Sequence, residues 1–450
     1  MSKALLNRLK LGEGGFYIVL ALVFTAIVAF LGSPLVSTYL KDVGHDGQWY
    51  IKIAEGRIGE VLQPFSGRIL YPFIAGWFEK NLPLDIGQSF FLIGMVSLFC
   101  FLITTSRILK KNLKSPLLVI PLFFLPYFIW VSREVFLPDI FYVFLTALFF
   151  LCLFLKKESV GLITLFLLFL TRESTIVLGL ILLLFSLMRS KKILFAATLV
   201  VIAISVFTTG QISSLGLSNP HNVGSSFYLV LKFVYNSLNN FFGIKLWANT
   251  LAQSCEPVFR IVLPNWPLFG SVREAGFCGF DFSSPINSFL ALTTTFGVAP
   301  LVFFYLFLKK TKFILREAPF WVSIAAVYGL VYYFLGVSAG TGVARMVGYS
   351  WPAFLLATPF LMGVFFETNK NFIVKLSLIQ LLVAWLPFAI QVTTGYSIST
   401  ALFVIQVTTG YSISTALLSV FLTASIYFWS FFFLKNQKTI HDGRFLQAKT

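Results

Sequence analysis

Apolar stretches alternate with short basic clusters along most of the chain. Runs long enough to cross a hydrocarbon layer need about 20 residues, and several here come close to that. The pattern predicts membrane helices near 16–39, 86–106, 116–131, 137–155, 160–170, 174–188, 193–210, 286–308, 319–338, 346–366, 372–390 and 415–434. The predicted fold is therefore all-α, a polytopic transmembrane helix bundle of about 12 spans forming one integral membrane domain over 1–450. Phe16 to Leu40 follows Lys3, Arg8 and Lys10 but is too long for a cleaved leader, so it reads as the first span.

Two segments stand out as long loops. Residues 41–85 join the first two spans and hold six of the 17 acids. Their stretch Trp49-Tyr50-Ile51-Lys52-Ile53-Ala54 has the pattern of a helix lying on a membrane surface. Residues 211–285 are rich in Asn, Ser, Gly and aromatics, and are expected to be ordered and partly helical. The pair 160–170 and 174–188 flanks Thr171-Arg172-Glu173-Ser174. Eleven helical residues reach only about 16 Å, against about 30 Å of hydrocarbon. A short hairpin is expected, with its charged tip held inside the protein, because bare lipid would leave that tip unpaired.

Charge placement gives the orientation. The net charge is +17, and only 11% of residues are charged against 58% hydrophobic. Sorting the loops by the predicted spans places 22 of the 34 basic residues with five of the 17 acids on one side. The remaining bases and acids balance on the other. The whole excess lies on the side of both termini, which the positive-inside rule makes cytoplasmic. In a bacterium this would be the plasma (inner) membrane. The basic excess is thus a topology signal, and no nucleic-acid partner is needed to explain it.

Candidate chemistry gathers on the other side. It comprises Asp46 and Tyr50 with His45 in the first loop, then Arg68. It continues with Arg133, Glu134 and Asp139 between the third and fourth spans, Arg172 and Glu173 at the hairpin tip, and Arg345 after Gly340-Thr341-Gly342. Ionisable groups near membrane depth are functional candidates by default. Carboxylates act as general bases toward hydroxyls, and arginines bind phosphate bidentately. Plainer readings stand beside these. Asp46 is placed to cap a helix from Gly47 to Ala54 that ends at Gly56. Arg68 and Arg345 could snorkel, and Arg133 with Glu134, and Arg172 with Glu173, could form structural ion pairs with neighbours. Cys255 and Cys278 lie 23 positions apart in the second long loop, where an oxidising compartment permits a disulfide. No phosphate-binding P-loop, Gly-x-Ser-x-Gly or His-Glu-x-x-His motif is present. Residues 390–402 recur identically at 405–417, a single duplication to which no role is assigned.

Asp46-Gly47 with Tyr50, Ile53 and Ala54, followed by Arg68, Tyr71 and Pro72, resembles the first outer loop of the GT-C superfamily of membrane glycosyltransferases. It is most similar to the branch holding the glycosylphosphatidylinositol mannosyltransferase II family and its bacterial relatives. The resemblance rests on about thirty residues. Gly67-Arg68-Ile69-Leu70-Tyr71-Pro72 stands where that branch has an apolar Phe-Pro-Leu-Tyr-Pro run. The resemblance implies a polyprenyl-phosphate sugar donor and a glycan, lipid or protein acceptor, with Asp46 as the catalytic base. Arg68, Arg133, Arg172, Arg345 and Tyr50 are then expected to bind substrate. Glu134, Asp139 and Glu173 would orient groups or hold a divalent cation, and no cofactor is required. A secondary transporter, or a polysaccharide polymerase or ligase acting on lipid-linked oligosaccharide, fits the same layout.

Overall fold

The computed structural model describes residues 13–41, 46–110, 124–218, 226–249, 255–266, 272–338, 343–366, 370–393 and 422–430. The second copy of the duplication, most of the last predicted span, His45 and Gly340–Gly342 lie outside them. The described chain is mostly helical. Among the described residues, three helices are long and apolar enough to cross a membrane: α4 (Ile86–Lys110), α9 (Lys192–Ser214) and α13 (Phe320–Ser338). A bent pair supplies a fourth if it counts as one span. Along α9, Leu199, Val200, Ile204 and Phe207 are exposed, as a lipid-facing surface requires.

The remaining helices in chain order are α1 (Glu13–Lys41), α2 (Gly47–Ala54), α3 (Leu70–Asn81), α5 (Pro126–Arg133), α6 (Asp139–Phe154), α7 (Glu158–Thr171), α8 (Ile176–Met188) and α10 (Ser226–Phe242). After them come α11 (Ser283–Phe296), α12 (Ala299–Lys312), α14 (Val343–Val347), α15 (Thr358–Phe365) and α16 (Lys370–Thr393). α5 accounts for the end of the predicted 116–131 span, whose first half is outside the described residues.

Ion pairs and ring contacts define the two ends of the bundle. Glu158 at the start of α7 pairs with Lys191 just beyond α8, so both legs of this hairpin begin and finish at the same end. Lys191 lies over the Phe320 ring, and Arg189 Nη2 donates to the Ala318 carbonyl at 2.8 Å. Lys310 lies over Phe365, whose ring packs on Phe313. Arg189, Lys191 and Lys310 therefore lie at one end of the bundle. Arg172, at the hairpin tip, lies at the other.

Two expectations are corrected. The predicted span 286–308 is not straight: α11 and α12 meet at 96°. Gly297 sits at the break with φ 57° and ψ −130°, a conformation that only glycine adopts without strain. Gln380 of α16 plugs the break. Its Oε1 accepts from the Val298 and Ala299 N–H groups at 2.8 and 3.1 Å, and its Nε2 donates to the Phe296 carbonyl at 2.7 Å. The all-α expectation also fails in the second long loop. A three-stranded antiparallel sheet, order β1–β3–β2, follows α10: β1 (Ile244–Ala248), β2 (Phe259–Val262) and β3 (Glu274–Phe280). Ile244 faces Phe280, and Phe259 faces Phe277. Aromatic and β-branched residues favour strands here over the expected helix. Cys255 and Cys278 form the anticipated disulfide, with Cα atoms 6.0 Å apart.

Candidate functional site

The first loop folds back as α2 and α3, which pack closely enough that Gly76 has no room for a Cβ against the Ala54 carbonyl. The loop is then fastened to the end of α9. Gln63 Nε2 and Ser66 Oγ each donate to the Ser213 carbonyl at 3.1 Å. This fixes where the residues flanking α2 point.

Asp46 immediately precedes α2, with helical φ and ψ and no capping hydrogen bond from its side chain. The capping reading is therefore set aside. Its carboxylate instead stands 3.9 Å from Arg345 Nη2, and the side chain is 41% exposed. Gly56 does end the helix region with φ 84°.

Asp139 opens α6 directly after Pro138 and is 1% exposed. The N-terminal position favours a carboxylate, because the first-turn N–H groups carry partial positive charge. Its Oδ1 accepts from Arg172 Nη1 at 2.8 Å and from the Tyr349 hydroxyl. Its Oδ2 faces Arg345 Nε at 3.6 Å, too far for a hydrogen bond, and neither atom has a hydrogen-bond partner.

Arg172 follows α7 in an extended conformation that breaks the helix and forms the hairpin tip. It is buried, as a tip inside the protein requires. Its guanidinium bonds Asp139 and Tyr349, lies over the Tyr349 ring at 4.7 Å, and places Nη2 3.3 Å from Met346 Sδ. Expected as a phosphate ligand, Arg172 is instead taken up by internal partners. Arg345 is the more available cation, 21% exposed and shared among three carboxylates from two chain regions. Besides Asp46 and Asp139 it reaches Glu134 Oε2 at 3.4 Å from Nη1. All three contacts are long for a charge-assisted pair, whose usual range is about 2.7–2.9 Å.

A second pairing adjoins the first. Arg68 grips Glu173 with both Nε (2.8 Å) and Nη2 (2.5 Å), donates from Nη1 to the Tyr50 hydroxyl at 2.9 Å, and stacks on Phe65. Glu173 is the exposed member of this pair. Burial raises the Tyr50 pKa above its ordinary value, against the pull of Arg68 and Arg172, so its hydroxyl stays protonated. The structure thus brings Asp46, Glu134, Asp139, Arg172 and Arg345 into one cluster, with Tyr50, Arg68 and Glu173 beside it. The Arg133 side chain lies outside the described residues. Among the described residues no group of three His, Cys, Asp or Glu side chains is placed to hold a metal ion.

Sequence reasoning missed Tyr349 and Met346, and the buried tyrosines beneath them. The Tyr142 hydroxyl lies 3.3 Å from those of Tyr328 and Tyr332, and Tyr332 donates to the Ser174 carbonyl at the hairpin tip at 2.7 Å. The available signal was Tyr328 and Tyr332, one helical turn apart inside an apolar span. Buried tyrosine hydroxyls need partners.

Comparison of the chain with protein-family models, with curated proteins and with solved structures finds no match in any of the three.

Proposed function

We propose that this chain is a GT-C-like membrane glycosyltransferase that moves a sugar from a polyprenyl-phosphate donor to an acceptor hydroxyl. In this reading it crosses the membrane about twelve times with both termini cytoplasmic, and the chemistry lies on the opposite face. The observation that carries the reading is the Asp46 carboxylate: partly exposed, not used as a helix cap, and 3.9 Å from a guanidinium that three acids share.

Asp46 takes the proton from the acceptor hydroxyl as that oxygen attacks the anomeric carbon. The bond from that carbon to the phosphate oxygen breaks, and polyprenyl phosphate leaves with the electron pair. With one dedicated acid, the anomeric configuration inverts. Arg345 and Arg68 hold the phosphate. The long contacts of Arg345 support this role, since little is lost when it turns from carboxylate to phosphate. Arg172 positions Asp139, which in turn faces Arg345. Glu134 and Glu173 set the arginines.

Purified protein in liposomes, given labelled polyprenyl-phosphate sugars and acceptor extracts, tests this. Transfer of a single sugar is expected. In Asp46→Asn it should fall by about 10²–10⁴-fold, the usual contribution of a general base. Full activity in that variant would sink the assignment. Chain growth would favour the polymerase or ligase. Uptake without chemistry would favour a transporter, the reading that the broken α11–α12 pair supports, since transporters build sites at discontinuous helices.

A further inference from the structure

The sheet of the second long loop carries little core of its own. Ala248 and Val272 are its buried apolar residues, with Leu231, Tyr235 and Leu263 partly buried around them. Every residue of β2 is exposed, although three of its four are Phe, Ile and Val. Val262 is 77% and Trp266 59% exposed, and Phe280 and Phe282, stacked at 6.1 Å, are exposed as well. A soluble surface rarely gathers such a patch without an occupant. Within the strands, Lys245 pairs with Asp281 at 2.8 Å and Arg260 with Glu274 at 3.7 Å.

Position identifies the occupant. Phe334 lies in the last turns of α13, one of the three candidate spans, and is exposed. Phe241 packs on it with ring centroids 5.9 Å apart. The next residue, Phe242, is 62% exposed. Gly243 then accepts from the Asp281 N–H at 2.6 Å, which carries Phe280 and Phe282 alongside. Exposed apolar side chains thus run from the end of a candidate span onto the sheet. Trp and Phe at that level, interspersed with paired charges, have the composition of a headgroup boundary.

We infer that the disulfide-bonded sheet of β1, β2 and β3 is a lipid-binding element that seats Phe259, Ile261, Trp266, Phe280 and Phe282 at the headgroup–acyl boundary of the adjacent leaflet. The disulfide supplies the rigidity that a thin core does not. This holds whatever chemistry the charged cluster performs.

The test uses the full chain in phosphatidylcholine vesicles whose acyl chains are brominated near the headgroup. Subtracting the emission of Trp266→Phe from that of the unaltered protein isolates Trp266. The Trp266 emission should be largely quenched by the brominated lipid and insensitive to aqueous iodide. Introducing Ile261→Asp, on the face that carries Phe259, should remove most of that quenching while the protein stays monodisperse. Emission unaffected by the brominated lipid but quenched by iodide would overturn the inference. So would emission shielded from both that becomes iodide-sensitive when vesicles hold single copies, which would make the patch a contact between chains. Undiminished lipid quenching in Ile261→Asp would overturn it too.

Discussion

Replacing Asp139 by Asn should destabilise the fold more than any other single change in the charged cluster. The carboxylate is 1% exposed, and its partner Arg172 is nearly as buried. With charge centres roughly 4 Å apart, an effective dielectric constant near 20 gives about 4 kcal/mol of attraction. Removing one member of a buried pair costs about 3–5 kcal/mol, because the other is left as an uncompensated charge. Asn keeps an oxygen able to accept from Tyr349, so the lower part of that range is expected. Arg172→Met alone should also be costly, since Asp139 would keep Arg345 only at 3.6 Å. The double variant removes both charges. Its destabilisation should fall short of the sum of the two by about 2–3 kcal/mol, the upper range of coupling for contacting residues. Equilibrium unfolding in mixed micelles measures all three. Additive losses, or a harmless Asp139→Asn, would refute the claim that this pair is sealed and mutually dependent.

Other outcomes follow from the same contacts. Gln380→Ala leaves the Val298 and Ala299 N–H groups and the Phe296 carbonyl unpaired at the break, and should cost about 2–4 kcal/mol in the same unfolding assay. Unchanged stability would mean that the bend holds itself. Cys255→Ser opens a loop of 23 positions, which the chain-entropy estimate places at about 3 kcal/mol. The loss should show as protease cleavage within 244–282, with the helices intact. Glu173→Gln frees Arg68 from an exposed partner, so stability should change by less than about 1 kcal/mol. Under the proposed roles, in which Glu173 sets Arg68, the KM for donor should rise in this variant, and an unchanged KM would contradict them.

The helices and the gathering of charges were legible because each is written locally. A hydrophobic run needs no knowledge of its neighbours, and charges that water must receive sort to the ends. The hairpin was read the same way: 160–170 is too short to cross, and Arg172 interrupts it. What failed was whatever depends on a distant partner. The break at Gly297 needs Gln380, 83 positions later, to satisfy the freed backbone groups, and before the fold is known Gly297 is one more glycine in an apolar stretch. The strands were missed because β2 is four residues long and its neighbours are rich in glycine, so no alternation could build up. Arg172 was placed at the tip with two readings open, a phosphate ligand or an ion pair with a neighbour, and here it pairs with Asp139. Sequence put Asp139 and Arg172 in the same region without showing that they bond each other.

That last difference bears on how such a site can work. An arginine fully engaged by a buried carboxylate and a tyrosine cannot turn to a ligand without exposing both, and burial makes that expensive. It is suited to holding geometry. An arginine spread over three carboxylates at 3.4–3.9 Å gives up little by moving. Arg172 is joined to the tyrosines through Tyr349 and to the hairpin through its own backbone, and Tyr332 fastens that hairpin at Ser174. Arg345 stands between this fixed layer and the exposed Asp46. The cluster therefore divides into a part that is held and a part that can respond. The boundary runs between the two oxygens of Asp139, one bonded to Arg172 and one left 3.6 Å short of Arg345.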